Sequence, residues 1–428
     1  MKPPIIIFIT TYSIDAMILP VVVLCLVFLL TIIRQIGNIR LDLWQIMGLG
    51  ALAVLLTGQI SIPEAIEAIN PDIMLFLFGV FAIGQALETS GYLSLVSYNF
   101  FKNAKNMDAI ILYVLFGMGF ASAFLMNDTL AIIGTPVVLL LARQHQIDPK
   151  VLLLALAFAV TTGSVASPIG NPQNLLIAMN GGIKDPFVVF ARYLLLPTTV
   201  NLIAAYLVLK FFFREHFSAA VLNHSEPQTS DPKLASLSRL SLVLFVLLVC
   251  AKILVQLLSI PFDFRLTYIA LIAAIPVLVL SSRRYELVKR MDWHTLVFFA
   301  AMFILMESVW NSGFFQGFLT DTQQSIVSIS MVLSVSVILS QFISNVPLVA
   351  LYLPILSHAS VDTGGLLALA AGSTIAGNLS ILGAASNVII IHNAEKKGNV
   401  TLTFMEFFKI GVPLTIIQTC VYWFFLSL

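Results

Sequence analysis

Two short polar stretches, Asn127-Asp128-Thr129 and Ser344-Asn345-Val346-Pro347, interrupt apolar runs of this chain near the middle of a bilayer's depth. Each is followed by a Gly-x-x-x-Asn segment, Gly170 to Asn174 in the first case and Gly383 to Asn387 in the second. Asn, Asp, Ser, Gly and Pro are costly in hydrocarbon unless the freed backbone lines a protein-enclosed site. Two matched interruptions therefore imply a binding site at the centre of a duplicated membrane fold, the arrangement of a secondary transporter.

With 59% hydrophobic residues, 10% charged residues and a mean hydropathy of +1.00, the chain carries more apolar surface than a soluble core can hide. The expected class is an all-α polytopic membrane protein. Apolar runs of spanning length fall near 14 to 33, 43 to 60, 73 to 90, 150 to 180, 187 to 213, 239 to 260, 265 to 282, 293 to 312, 364 to 395 and 407 to 427. The first, from Ser13 to Ile33, reads as a retained helix, because no small-residue cleavage site follows it. Two further runs, 109 to 142 and 325 to 358, are too long for one span and lack the charged turn that would separate two. Both read as re-entrant hairpins with tips at Asn127 and Asn345. The polar breaks within 150 to 180 and 364 to 395 predict a broken helix in each half.

With the N-terminus outside, the internal loops hold most of the 22 Lys and Arg residues, among them Lys289, Arg290, Lys396 and Lys397, while acidic Glu64 and Glu67 lie outside. The halves read as repeats. Ser90-Gly91-Tyr92 answers Ser312-Gly313-Phe314 at an offset of 222, Asn127 answers Asn345 at 218, and Gly170 and Asn174 answer Gly383 and Asn387 at 213. Five spans and a hairpin per half make an odd number of crossings, so the second repeat is inverted relative to the first. The expected boundaries are 1 to 213 for the first repeat, 214 to 238 for a polar cytoplasmic linker, and 239 to 428 for the second repeat.

An ionisable side chain at this depth costs about 2.5 to 3.5 kcal/mol on the lenient insertion scale, so Asp128 is read as a proton or cation carrier. The competing reading is a helix cap. Asn127, Thr129, Asn171, Asn174, Ser344, Asn345, Ser386 and Asn387 are the candidate substrate ligands, since unwound backbone and small polar side chains offer carbonyls to a cation and N–H groups to an oxygen-rich substrate. A proline kink at 168 to 172 and close packing of small residues at 372 to 387 are the structural alternatives. Glu307, which answers Gln85, either relays protons or bonds a neighbouring helix. Met302 and Met306 read as core filler. Cys25, Cys250 and Cys420 lie on separate spans, so neither a disulfide framework nor a thiolate metal site is expected, and no cofactor is called for. A net charge of +1 argues against a nucleic-acid partner.

Together, Asn-Asp-Thr at 127, Ser-Pro-Ile-Gly-Asn-Pro-Gln-Asn at 167, Asp-Trp-His-Thr at 292 and Ser-Asn-Val-Pro at 344 resemble the ion-transporter superfamily. That superfamily embraces the arsenite pump membrane proteins, the NhaD-type sodium/proton antiporters and the divalent anion/sodium symporters, and the arsenite branch is the nearest match. The resemblance implies inverted repeats, a substrate held between hairpin tips and broken helices in the cytoplasmic (inner) membrane, often a homodimer, and a cytosolic ATPase docking on internal loops. The chain itself has no Gly-x-x-x-x-Gly-Lys-Ser/Thr loop.

The divalent-anion branch carries Ser-Asn-Thr at both tips. Here a carboxylate and an apolar side chain replace two of those hydroxyls, which suits an uncharged polyhydroxy substrate such as As(OH)3 exchanged for protons, and the expected function is arsenite or antimonite efflux. A sodium-coupled oxyanion or carboxylate transporter, a sodium/proton antiporter and a passive channel stay open. An intramembrane enzyme is disfavoured, because no nucleophile, paired-Asp or His-x-x-x-His pattern is present.

Overall fold

The computed structural model describes residues 14–33, 35–36, 39–69, 71–217, 231–258, 265–314, 327–359 and 361–428. Apart from a ribbon pairing Gln35–Ile36 with Ile39–Arg40, the regular structure described is helical. The helices are α1 (Ile14–Ile33), α2 (Leu43–Leu56), α3 (Ile62–Ala68), α4 (Pro71–Thr89), α5 (Tyr92–Phe101), α6 (Met107–Leu125, with a π-helical stretch at Tyr113–Met118), α7 (Asn127–His145), α8 (Pro149–Ser164), α9 (Pro172–Asn180) and α10 (Pro186–Phe212). After residue 230 come α11 (Pro232–Leu257), α12 (Leu266–Val279), α13 (Arg284–Arg290), α14 (Trp293–Asn311), α15 (Ile329–Ile343), α16 (Asn345–His358), α17 (Thr363–Ile375), α18 (Ala385–Gly398) and α19 (Phe404–Leu426).

Six of these segments are long and apolar enough to cross a membrane: Pro71–Thr89, Met107–Leu125, Pro186–Phe212, Pro232–Lys252, Trp293–Asn311 and Phe404–Leu426. The spans expected at 43 to 60 and 265 to 282 fold as helices of 14 residues each. Large apolar side chains such as Leu52, Leu196, Leu247 and Trp423 face outward, as a lipid-facing surface requires. Part of the expected linker is structured: α11 begins at Pro232, ahead of 239, because the Asp231 carboxylate accepts the Leu234 N–H at 3.0 Å and proline suits a first helical position. Residues 218–230 of that linker lie outside the described residues.

The two expected hairpins have the same tip. Met126 turns between α6 and α7 at φ 64°, and Ser344 turns between α15 and α16 at φ 65°, positions that correspond at the offset of 218. Both adopt the positive φ that side chains other than glycine rarely take.

Local signals also set the breaks. Asp148 caps α8 before Pro149, and Asn171 caps α9 before Pro172, each with its side chain accepting a backbone N–H. Between them, the Asn127 N–H donates to the Gly170 carbonyl at 3.0 Å, so the first tip lies level with the first break. The 16 residues of α8 rise about 24 Å from the base of the hairpin to that break, and α9 continues beyond it. A side chain has no room at Gly170, where a Cβ would stand 2.1 Å from the Ser164 carbonyl oxygen, nor at Gly383, where it would stand 2.4 Å from that of Ala376.

The halves interlock. Hairpin arms α6 and α7 pack on α8, α15 packs on α17, and α18 crosses to pack on α7. A second layer pairs α4 with α12 and α14 with α2.

Candidate transport site

Both tips, both breaks and α14 converge on one cavity of ≈ 240 Å³. Asn127 and Asp128 come from the first tip, Ser344, Asn345 and Val346 from the second, Pro172 and Gln173 from the first break, and Ala385 from the second. The opposite wall is apolar: Phe299, Met302, Phe303 and Met306 recur at the three- and four-residue spacing that puts them on one face of α14.

Asp128 occupies the first turn of α7, where the helix dipole favours a negative charge. It is not the cap: the Asp128 N–H donates to the Asn127 side-chain oxygen at 2.9 Å, and no side-chain capping bond is made. Its Oδ1 is buried without a hydrogen-bond partner among the described residues, as is Oδ1 of Asn345 across the cavity. No Lys or Arg lines the cavity.

The remaining expected ligands stand behind the wall. Asn171 Nδ2 donates to Ser164 Oγ at 3.2 Å and Thr374 Oγ1 at 3.1 Å, while Asn174 Nδ2 donates to the carbonyls of Ser164 at 3.2 Å and Ser167 at 3.0 Å. Asn387 Nδ2 donates to the carbonyls of Gly377 and Ser380. Thr129 and Ser386 are fully buried next to the tip and the break, off the cavity lining. Glu307 is also elsewhere. It lines a separate space of ≈ 380 Å³ with Glu64, Glu67 and Pro71, and Ala68 borders both that space and the central cavity. Gln85, the position expected to answer Glu307, lines a third space of ≈ 560 Å³ with Lys289, Arg290, Lys396 and Lys397. The cysteines are exposed, away from the cavity.

Sequence reasoning missed Gln173 and the apolar wall. Gln173 stands within the Gly-Asn-Pro-Gln-Asn cluster, and the helical spacing of 299, 302, 303 and 306 is readable in the chain.

The sequence profile of the citrate transporter family (CitMHS) matches residues 26–367. The chain belongs to that family. It is thus a polytopic secondary transporter rather than an enzyme. Among its relatives, the mouse (Mus musculus) P protein is 24% identical over 86% of this chain and 56% of its own length, so the chain spans about half of that relative. The silicon efflux transporter of rice (Oryza sativa subsp. japonica) is 26% identical over 87% of this chain and 90% of its own. The solved structure of the Alcanivorax borkumensis YdaH transporter matches with a TM-score of 0.49 and 15% identity, covering 96% of this chain and 97% of that one.

Proposed function

We propose that the protein is a proton-coupled antiporter that exports a small uncharged metalloid hydroxide, arsenite or antimonite, across the cytoplasmic membrane by alternating access. The observation that carries this reading is the buried Asp128 Oδ1, without a hydrogen-bond partner among the described residues, in a cavity that no Lys or Arg lines. A deprotonated Asp128 can accept hydrogen bonds from the hydroxyls of an uncharged metalloid hydroxide, and a proton arriving on the carboxylate takes that acceptor away, so proton and substrate bind in turn as antiport requires. Asn127, Ser344, Asn345 and Gln173 offer the hydrogen bonds that a polyhydroxy molecule needs, and the α14 wall faces them with apolar side chains. The rice relative exports silicon by its name, and silicon in neutral water is also chiefly an uncharged hydroxide.

In this account the hairpins are re-entrant and the two repeats are inserted in opposite senses. Gln85 and Glu307, equivalent in the repeats, then face opposite sides of the membrane, Gln85 beside the basic residues expected inside and Glu307 beside the acidic residues expected outside.

The family description favours a second reading, cation-coupled transport of citrate or another carboxylate, in which bound cations offset the charge of Asp128. Everted vesicles separate the two. Arsenite accumulation that appears with an imposed proton gradient and collapses with it supports the first reading; citrate uptake without arsenite accumulation supports the second.

A further inference from the structure

We propose that Asp292, His294 and His392 form a binding site for a divalent transition-metal ion, zinc being the best match, at the end of the protein that carries Lys289, Arg290, Lys396 and Lys397. One donor atom from each of the three residues lies within 4.8 Å of the others. Two imidazoles and a carboxylate are the ligand types that zinc takes, and tetrahedral coordination needs donors roughly 3.4 Å apart. The closing movement falls to His294, which is exposed and stacked on Trp44 at 4.9 Å between ring centroids.

The other two ligands are held in place. Asp292 is buried, and its Oδ2 accepts the Thr295 hydroxyl at 2.6 Å, the kind of outer bond that orients a metal-binding carboxylate. His392 is buried as well. Its Nε2 stands 3.1 Å from Asp292 Oδ1, an ion-pair distance that already brings two of the three donors together. His294 lines a space of ≈ 560 Å³, the side from which an ion would approach.

Lys396 is the opposing charge. Its Nζ is 3.7 Å from Asp292 Oδ1 and donates to the Met291 carbonyl at 3.2 Å. This side chain is part-exposed and can swing into the open space when a cation arrives. The ligands come from the start of α14 and from α18, so a bound ion ties together two helices that also wall the central cavity through Met302 and Ala385. Asp292 and His294 are two residues apart, but His392 comes from a distant helix, so no spacing motif announces all three.

The test is competition between the purified full-length protein and a chromophoric zinc chelator. Wild type is expected to take one equivalent of zinc, His294→Gln and His392→Gln to bind about tenfold or more weakly, and Lys396→Met, which removes the opposing charge, to bind more tightly. Because His294 is exposed, its variant tests the site without disturbing the buried core. Wild type that withholds no zinc from the chelator, or His294→Gln that binds as wild type does, overturns the proposal.

Discussion

Asn174 and Asn387 clamp the two broken segments in the same way, each donating from Nδ2 to the carbonyls ten and seven residues before it: Ser164 and Ser167 in one half, Gly377 and Ser380 in the other. A helix break buried in protein leaves carbonyls that nothing else satisfies, and an amide side chain at that spacing answers two of them at once.

This relationship predicts that Asn174→Asp and Asn387→Asp damage folding more than their size suggests. The carboxylate keeps the shape but has no N–H to donate, leaving buried carbonyls unpaired at a cost of about 1–3 kcal/mol each. Thermal unfolding in detergent should show a lowered melting temperature in both variants; native melting in either one contradicts the clamp.

Gly170 is the point where tip and break touch. Gly170→Ala places a methyl group 2.1 Å from the Ser164 carbonyl oxygen, and the backbone that accepts the Asn127 N–H has to shift. Strain of this kind costs about 1–3 kcal/mol. Transport should fall sharply while the protein still inserts in the membrane, as flux assays scaled to the amount inserted will show.

The apolar wall predicts a steric block. Met306→Trp fills part of the ≈ 240 Å³ cavity from a helix face already lined by large side chains. Transport should be lost with melting changed little, and a variant with normal flux would place the pathway elsewhere.

The exposed cysteines offer a clean background for sidedness. Replacing Cys25, Cys250 and Cys420 by Ser should leave transport intact, since none lines the cavity. In that background, Gln85→Cys should react with an impermeant maleimide from the cytoplasmic side only and Glu307→Cys from the outside only. Labelling of both from one side contradicts inverted repeats.

Much of this architecture is legible in the sequence because burying polar backbone in a membrane is so costly: groups like those at the Asn127 and Asn345 tips and the breaks near Gly170 and Gly383 persist at that depth only where protein encloses them. The roles of the individual amides are not legible there. Asn171, Asn174 and Asn387 bond backbone or neighbouring side chains away from the cavity, whereas Gln173, which also reaches Thr374 Oγ1 at 3.5 Å, lines it, and only the path of the chain around each break decides which is which. The wall of α14 is hidden differently, since Phe and Met on a spanning helix look the same whether they meet lipid, core or substrate. Glu307 matches Gln85 in sequence but lies off the central cavity that its neighbour Met306 lines, because adjacent residues on a helix point in different directions.

The most direct test of the account is to compare Asp128→Asn with wild type in proteoliposomes, measuring arsenite exchange at equal concentrations on both sides and arsenite uptake driven by a proton gradient. If Asp128 carries the coupling proton, the variant keeps exchange and loses gradient-driven accumulation. Gradient-driven accumulation at the wild-type level in Asp128→Asn would contradict that role.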